Sequence, residues 1–158
     1  MYSAIHPTPV GDIQLHADAD GRVTGLYLRH DGTATSADGP FDGAREQLDA
    51  YFAGELEAFD LPLAPHGTPF QLRVWNELIR IPYAETISYK ELAVRLGDVK
   101  LVRAVGLANG RNPLSIVIPC HRVIGADGTL VGYGGGLERK RWLLDHEAVA
   151  SGRRLAIG

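Results

Sequence analysis

The sequence predicts a two-domain α+β protein, and three observations carry that prediction. Apolar residues alternate with polar ones over the first thirty positions, as in half-buried strands. Pro62, Pro65, Gly67 and Pro69 then break the pattern, and helices with clear start signals follow. The charge divides at the same break. Residues 1–67 hold 3 Arg and no Lys against 11 Asp and Glu, a balance of −8, whereas residues 68–158 hold 13 Lys and Arg against 8, a balance of +5. The predicted organisation is a first domain over 1–66, a second over 67–150 and a tail over 151–158. The basic half suits an anionic partner, although a solvated surface would show the same surplus.

At 158 residues and 45% hydrophobic, the chain can bury a real core. Its single cysteine excludes an internal disulfide framework and a multi-cysteine zinc site, and fits a reducing compartment. No basic segment leads into an apolar run at the N-terminus, and no stretch is long enough to cross a membrane. A soluble, cytoplasmic protein is expected.

Taken in order, Ile13, Leu15 and Ala17 alternate in a strand. Asp18 to Gly21 form a turn, and Val23 to Leu28 the return strand. Residues 31–40 read as a loop. Ala44, Leu48 and Tyr51-Phe52 recur at helical spacing over 41–52, with Gly54 as the stop. Phe59, Leu61 and Leu63 suggest a further short strand. His6, His16 and His30 are scattered and form no ligand set.

Beyond the break, Thr68-Pro69 is an N-cap followed by proline at the first helical position. Phe70, Val74, Trp75 and Leu78 give that helix an apolar face, and it ends before Pro82. Ser88 and Glu91 form a capping-box pattern for a helix running through Leu92 and Leu96 to Gly97. After Asp98 to Lys100 a second helix carries Leu101, Val102, Val105 and Ala108 and stops at Asn109-Gly110. Two short helices joined by a glycine-containing turn suggest a helix-turn-helix, although helical hairpins share that outline. Ala104, Gly106 and Ala108 would let this second helix approach another surface closely, and Arg103 projects from it.

Ile116 to Ile118 read as a buried strand ended by Pro119, with Cys120 just past its end. His121 and Arg122 follow. A thiolate is the reactive form of cysteine, and neighbouring cations favour it. A lone cysteine also serves as a small buried hydrophobe, but an inert one needs neither neighbour. Val123 to Val131 suggest a hairpin with Asp127-Gly128 in its turn, placed as a wing after the two helices. Gly132 to Gly136 lack the spacing of a phosphate loop. They form either a connector or a loop whose bare backbone approaches a ligand, with Tyr133 as a wall. The last helix starts near Leu137 with an inward stripe of Leu137, Leu144 and Ala148, and residues 149–158 read as a tail. Glu147 lies beside the stripe, where a buried carboxylate needs a partner, and His121 is a candidate. An exposed Glu147 near a frayed helix end is the alternative.

Taken together, Ile118-Pro119-Cys120-His121-Arg122-Val123, Arg103 to Gly106, Asn112-Pro113, Ile87-Ser88-Tyr89, Tyr133 to Leu137 and Trp142 to Glu147 resemble the O6-alkylguanine-DNA alkyltransferases, or methylated-DNA–protein-cysteine methyltransferases. The resemblance covers residues 68–147 and is looser over 1–66. It implies a small ribonuclease H-like α/β domain before a winged helix-turn-helix domain. It implies direct reversal of DNA damage: O6-alkylguanine, and in some cases O4-alkylthymine, is flipped from the duplex and its alkyl group moves irreversibly to Cys120. His121 would deprotonate Cys120 through a water, Glu147 would orient His121, and Asn112 would brace the segment. Tyr89 would contact the flipped base, Arg103 would fill its place in the stack, and Gly106 would lie on the close-approaching helix. The Val123 carbonyl would read the guanine amino group, and Tyr133 and Gly134 would line the pocket. Gly134 departs from the serine or alanine of many members and loses a side-chain contact.

The resemblance also implies double-stranded DNA as partner, no cofactor, no structural metal, a monomer able to cluster on DNA, and nucleoid association when bound. Three other readings compete. A lesion sensor resembling the alkyltransferase-like proteins would lack the reactive cysteine. A Cys-His hydrolase would turn over and leave Arg103 without a task. A plain winged-helix regulator would bind by sequence and not need Cys120.

Overall fold

The computed structural model describes residues 1–28, 39–133 and 135–152. Most of the predicted 31–40 loop, with His30, Gly134 and residues 153–158, lies outside that range. The chain divides into two units, Met1–His66 with Pro113–Ser115, and Gly67–Asn112 with Ile116–Gly158.

In the first unit, β1 (Tyr2–Thr8), β2 (Gly11–Ala17) and β3 (Val23–Tyr27) form an antiparallel meander in that order. The alternation seen in the sequence sets the register: Ala4 pairs with Leu15 and His6 with Ile13, and all four side chains are buried. Helix α1 (Asp42–Phe52) buries Ala44, Leu48 and Tyr51. His6 ties strand to helix. Its Nε2 lies 2.7 Å from Asp49 Oδ1, and its Nδ1 lies 3.1 Å from an Arg45 guanidinium nitrogen. The short strand expected over 59–63 reduces to one bridge, Leu63 to Val23. Pro62 has no N–H to extend the ladder, so only its carbonyl pairs, accepting from Val23 N at 2.7 Å.

In the second unit, α2 (Pro69–Ile79) starts at a reciprocal capping box between Thr68 and Gln71. Helix α3 (Tyr89–Arg95) starts at Ser88, whose hydroxyl accepts from Glu91 N at 3.0 Å. The Glu91 carboxylate lies 3.5 Å from Arg95 one turn on, a pairing available at i,i+4. A 3-10 turn over Val99–Leu101 leads into α4 (Val102–Gly110). The Trp75 indole N–H donates to Ala108 O at 2.9 Å and ties α2 to α4 inside the core. Strands β4 (Ile87–Ser88) and β5 (Val123–Ile124) pair in parallel, and α5 (Leu137–Ser151) completes the unit.

Four expectations are corrected here. Ile116 to Ile118 form no strand. Ile116 takes φ 74°, a conformation that a β-branched residue rarely adopts, and the chain turns there before a 3-10 turn over Cys120–Arg122. Residues 129–131 form no second wing strand, although Gly125 N donates to Thr129 O at 2.8 Å and closes the turn. Leu137 is 48% exposed, and the inward face of α5 runs instead through Lys140, Leu143, Leu144, Glu147 and Ala148. Finally, α5 continues past residue 149 to Ser151, where Gly152 at φ 76° caps it in the left-handed conformation.

Candidate active site

Cys120 opens the 3-10 turn that β5 continues, and its side chain is buried as a free thiol. The turn owes its shape to backbone carbonyls held from outside. Asn112 Nδ2 donates to Ile118 O at 2.7 Å, and Cys120 N bonds back to the same carbonyl at 2.7 Å. Asn109 Nδ2 reaches Cys120 O at 3.4 Å. Two amides from the end of α4 and the residues after it therefore brace the segment on either side of Pro119.

His121 and Glu147 are both fully buried, and Nε2 of the first lies 2.7 Å from Oε2 of the second. Glu147 also accepts from Arg122 Nε at 2.8 Å, from a second Arg122 nitrogen at 3.1 Å and from Ala84 N at 3.1 Å. Arg122 in turn donates to Ile81 O at 2.7 Å and lies over the Tyr83 ring. Burial alone would push the Glu147 carboxyl up. His121 and Arg122 outweigh it and hold the group well below the usual carboxylate range. Burial pushes the His121 imidazole down, against the pull of Glu147. The stable charge state is therefore an Arg122–Glu147 ion pair with a neutral imidazole. In that state Nε2 carries the proton and donates it to Glu147, while Nδ1 is a buried acceptor with no hydrogen-bond partner among the described residues. Such an atom can take a proton from a neighbouring thiol. The sequence reading treated Arg122 as a charge for the thiol; its hydrogen bonds assign it to Glu147.

Tyr89, at the start of α3, donates its hydroxyl to Val131 O at 3.0 Å. Burial raises its pKa, the charge of Cys120 adds to this, and Asn109 opposes it. The phenol therefore stays protonated and available as a donor. Helix α4 stands close to this ring: a Cβ placed on Gly106 would meet Tyr89 at 3.8 Å. Arg103 and Leu107 are exposed on α4, and Tyr133 is half-buried.

Lys140 was not foreseen. It is fully buried on α5, donates to Val123 O at 2.6 Å and Val131 O at 2.8 Å, and lies 5.7 Å from the centre of the Tyr89 ring. Burial pushes its ammonium down to about 8, and the Cys120 charge works against that shift. A signal was present, since residue 140 falls four positions before Leu144 on the inward face. The same holds for Asn109, four positions after Val105.

A groove of about 980 Å³ opens elsewhere, beside Ser88, Glu91, Asp127, Glu138 and Arg141, and its lining does not include Cys120. Three carboxylates against one guanidinium make it a poor seat for a polyanion. Among the described residues, no group of three or more His, Cys, Asp or Glu is placed to hold a metal ion, and no helix is long and apolar enough to cross a membrane.

Comparison with known proteins adds to this geometry. Residues 69–149 match the model of the 6-O-methylguanine DNA methyltransferase DNA-binding domain, and residues 1–65 that of the ribonuclease-like domain of the same family. The chain is 48% identical over 153 residues to a methylated-DNA–protein-cysteine methyltransferase of Methanosarcina acetivorans, covering 93% of this chain and 98% of the relative. It is 61% identical over 109 residues to the Mycobacterium bovis protein of the same name, covering 69% of this chain and 66% of that one. Among solved structures it is similar to Mycobacterium tuberculosis OGT in complex with DNA, with a TM-score of 0.86, 47% identity, and coverage of 95% of this chain and 94% of that one.

Proposed function

The chain belongs to the 6-O-methylguanine DNA methyltransferase family and repairs alkylated DNA, and from that premise we propose that Cys120 takes the alkyl group of O6-alkylguanine in one irreversible turnover. One observation carries the assignment of the chemistry to these residues. The imidazole beside the only cysteine has Nε2 committed to Glu147 and Nδ1 free to accept.

The step is a displacement. The Cys120 proton passes through a water to His121 Nδ1, and the imidazolium formed is stabilised by Glu147. The thiolate attacks the alkyl carbon, an S–C bond forms, and the O6–C bond breaks. The electron pair leaves on the guanine, to whose ring the Tyr89 hydroxyl donates, and the proton held by the His121 imidazolium returns through water to restore the neutral base and the neutral phenol. The product is a thioether with no good leaving group, so the protein is consumed.

The base reaches this site flipped out of double-stranded DNA, and that extrusion costs a few kcal/mol. Arg103, exposed on α4, fills the gap it leaves, and Gly106 lets the helix come close. The Val123 carbonyl, held by Lys140, accepts from the guanine amino group, and Tyr133 forms a wall. Asn112 braces the Cys120 segment. O4-alkylthymine is a second substrate of the same chemistry. The acting unit is one copy per lesion, in the cytoplasm and on the nucleoid.

The test is the intact mass of the protein after mixing with duplex DNA holding one O6-methylguanine, followed by peptide mapping. A gain of one methyl on Cys120 with guanine restored is expected. Binding without any gain would favour a lesion sensor, and neither binding nor gain a hydrolase.

A further inference from the structure

Leu107 is the most exposed large apolar side chain on α4, with 60% of its surface in solvent. The opposite face of the helix is fixed in the core by Val105 and Ala108, and by the Trp75 indole that donates to Ala108 O. The outward face is nearly bare. At about 100° per residue, Arg103, Leu107 and the capping Arg111 follow one line, each about 40° round from the last. All three are exposed. Ala104 and Gly110 flank Leu107 three positions away on either side, and a Cβ placed on Gly110 would meet nothing within 4 Å. Leu107 therefore stands proud of small neighbours, between two guanidiniums.

A single exposed leucine is ordinary on a protein surface. The position of Leu107 is not. It lies in the segment that matches a DNA-binding domain, on the second of two helices, the one that enters a groove in helix-turn-helix proteins. It also lies one turn from Arg103, which takes the place of the extruded base. Leucine can bond neither a phosphate nor a base edge. Against DNA it gains only by covering apolar surface, and extrusion bares such surface on the base pairs beside the gap. Four residues of helix rise about 6 Å, nearly two base steps of about 3.4 Å. With Arg103 level with the gap, Leu107 meets the neighbouring step.

We propose that Leu107 is an apolar wedge that packs against the base step beside the gap and holds the lesion outside the duplex. The inference rests on the function proposed above and adds a positioning residue to it. Arg103 fills the place of the lesion. Leu107 excludes water from the step next to it, so return of the base must expose that surface again.

The experiment compares single-turnover methyl transfer from O6-methylguanine in duplex DNA and in the same strand unpaired, where extrusion costs least. Leu107→Ala is expected to slow duplex repair about tenfold and to leave single-strand repair within about twofold. Leu107→Met keeps the apolar bulk and should restore most of the duplex rate, whereas Leu107→Gln, of similar length but polar, should not. A 2-aminopurine beside the lesion gives a second readout, since it brightens when its stacking is lost. Cys120→Ala protein, which has no thiol to alkylate, should brighten it on binding, and the added Leu107→Ala change should remove that gain. Equal slowing of duplex and single-strand repair would overturn the proposal and leave Leu107 a structural residue. An unchanged duplex rate in Leu107→Ala, or full activity in Leu107→Gln, would overturn it as well. Absence of methyl transfer by the wild type to Cys120 would instead remove the underlying function, and this inference with it.

Discussion

His121 Nε2 lies 2.7 Å from Glu147 Oε2, and neither side chain is exposed. The bond fixes the tautomer, because the ionised carboxylate can only accept. Glu147→Gln keeps the volume but can present an amide N–H to Nε2. The imidazole would then carry its proton on Nδ1, the atom that must accept from Cys120. Transfer should slow by about 10²- to 10⁴-fold, with duplex affinity within about twofold. Stopped reactions read by intact mass, with binding measured by anisotropy, check both. An unchanged rate would remove Glu147 from the mechanism.

The same pair makes stability depend on acidity. The folded pKa of Glu147 lies below its ordinary 4.5, and that of His121 below its ordinary 6.5. For both groups the unfolded chain binds more protons, so stability rises with pH across these windows. The His121 contribution is full above about 6.5 and falls below it; the Glu147 contribution is full above about 4.5 and falls as pH drops towards its folded value. Urea unfolding should show wild type losing stability as pH falls from 8 to 5, and Glu147→Gln, which lacks the carboxylate that pulls the His121 pKa up, losing it at least as steeply. A wild type of constant stability across that range would refute the neutral imidazole.

How far these features could be read from the chain follows from their range. Alternation fixed β2, and Thr68-Pro69 fixed the start of α2, because both signals are local. Ile116 to Ile118 misled because β-branched residues signal strands, while the φ of 74° at Ile116 is imposed by the surrounding fold. Helical spacing offers the bond between His121 and Glu147 as one of two readings, and the family resemblance implies it. The attachment of Arg122 to Glu147 and the N–H of Ala84 on the same carboxylate were not foreseen. They depend on chain segments far apart in sequence meeting at one point.

Lys140 gives a prediction about stability and pocket shape. Its ammonium bridges the carbonyls of Val123 and Val131, from a site with no solvent exposure. Lys140→Met keeps most of the stem and removes both bonds. Hydrogen bonds from a charged donor contribute about 1.5–3 kcal/mol each. Relief of the buried charge returns part of that, so a net loss of about 2–4 kcal/mol is expected. Urea midpoints measure it. A variant as stable as wild type would show that the charge costs as much as its bonds return.

Arg103 separates the cost of extrusion from the chemistry. Its side chain is exposed on α4, and no ion pair or hydrogen bond within the described protein accounts for it. A residue that fills the stack matters only when a base has left one. Arg103→Ala should slow repair of O6-methylguanine in duplex DNA by about 10²-fold, the rate equivalent of losing a few kcal/mol of compensation for unstacking. Reaction with free O6-benzylguanine, which needs no extrusion, should stay within about twofold. The two rates are read on the same preparation, so misfolding would lower both. Equal losses on the two substrates would place Arg103 outside the flipping step, since neither extrusion nor a phosphate contact acts on a free base.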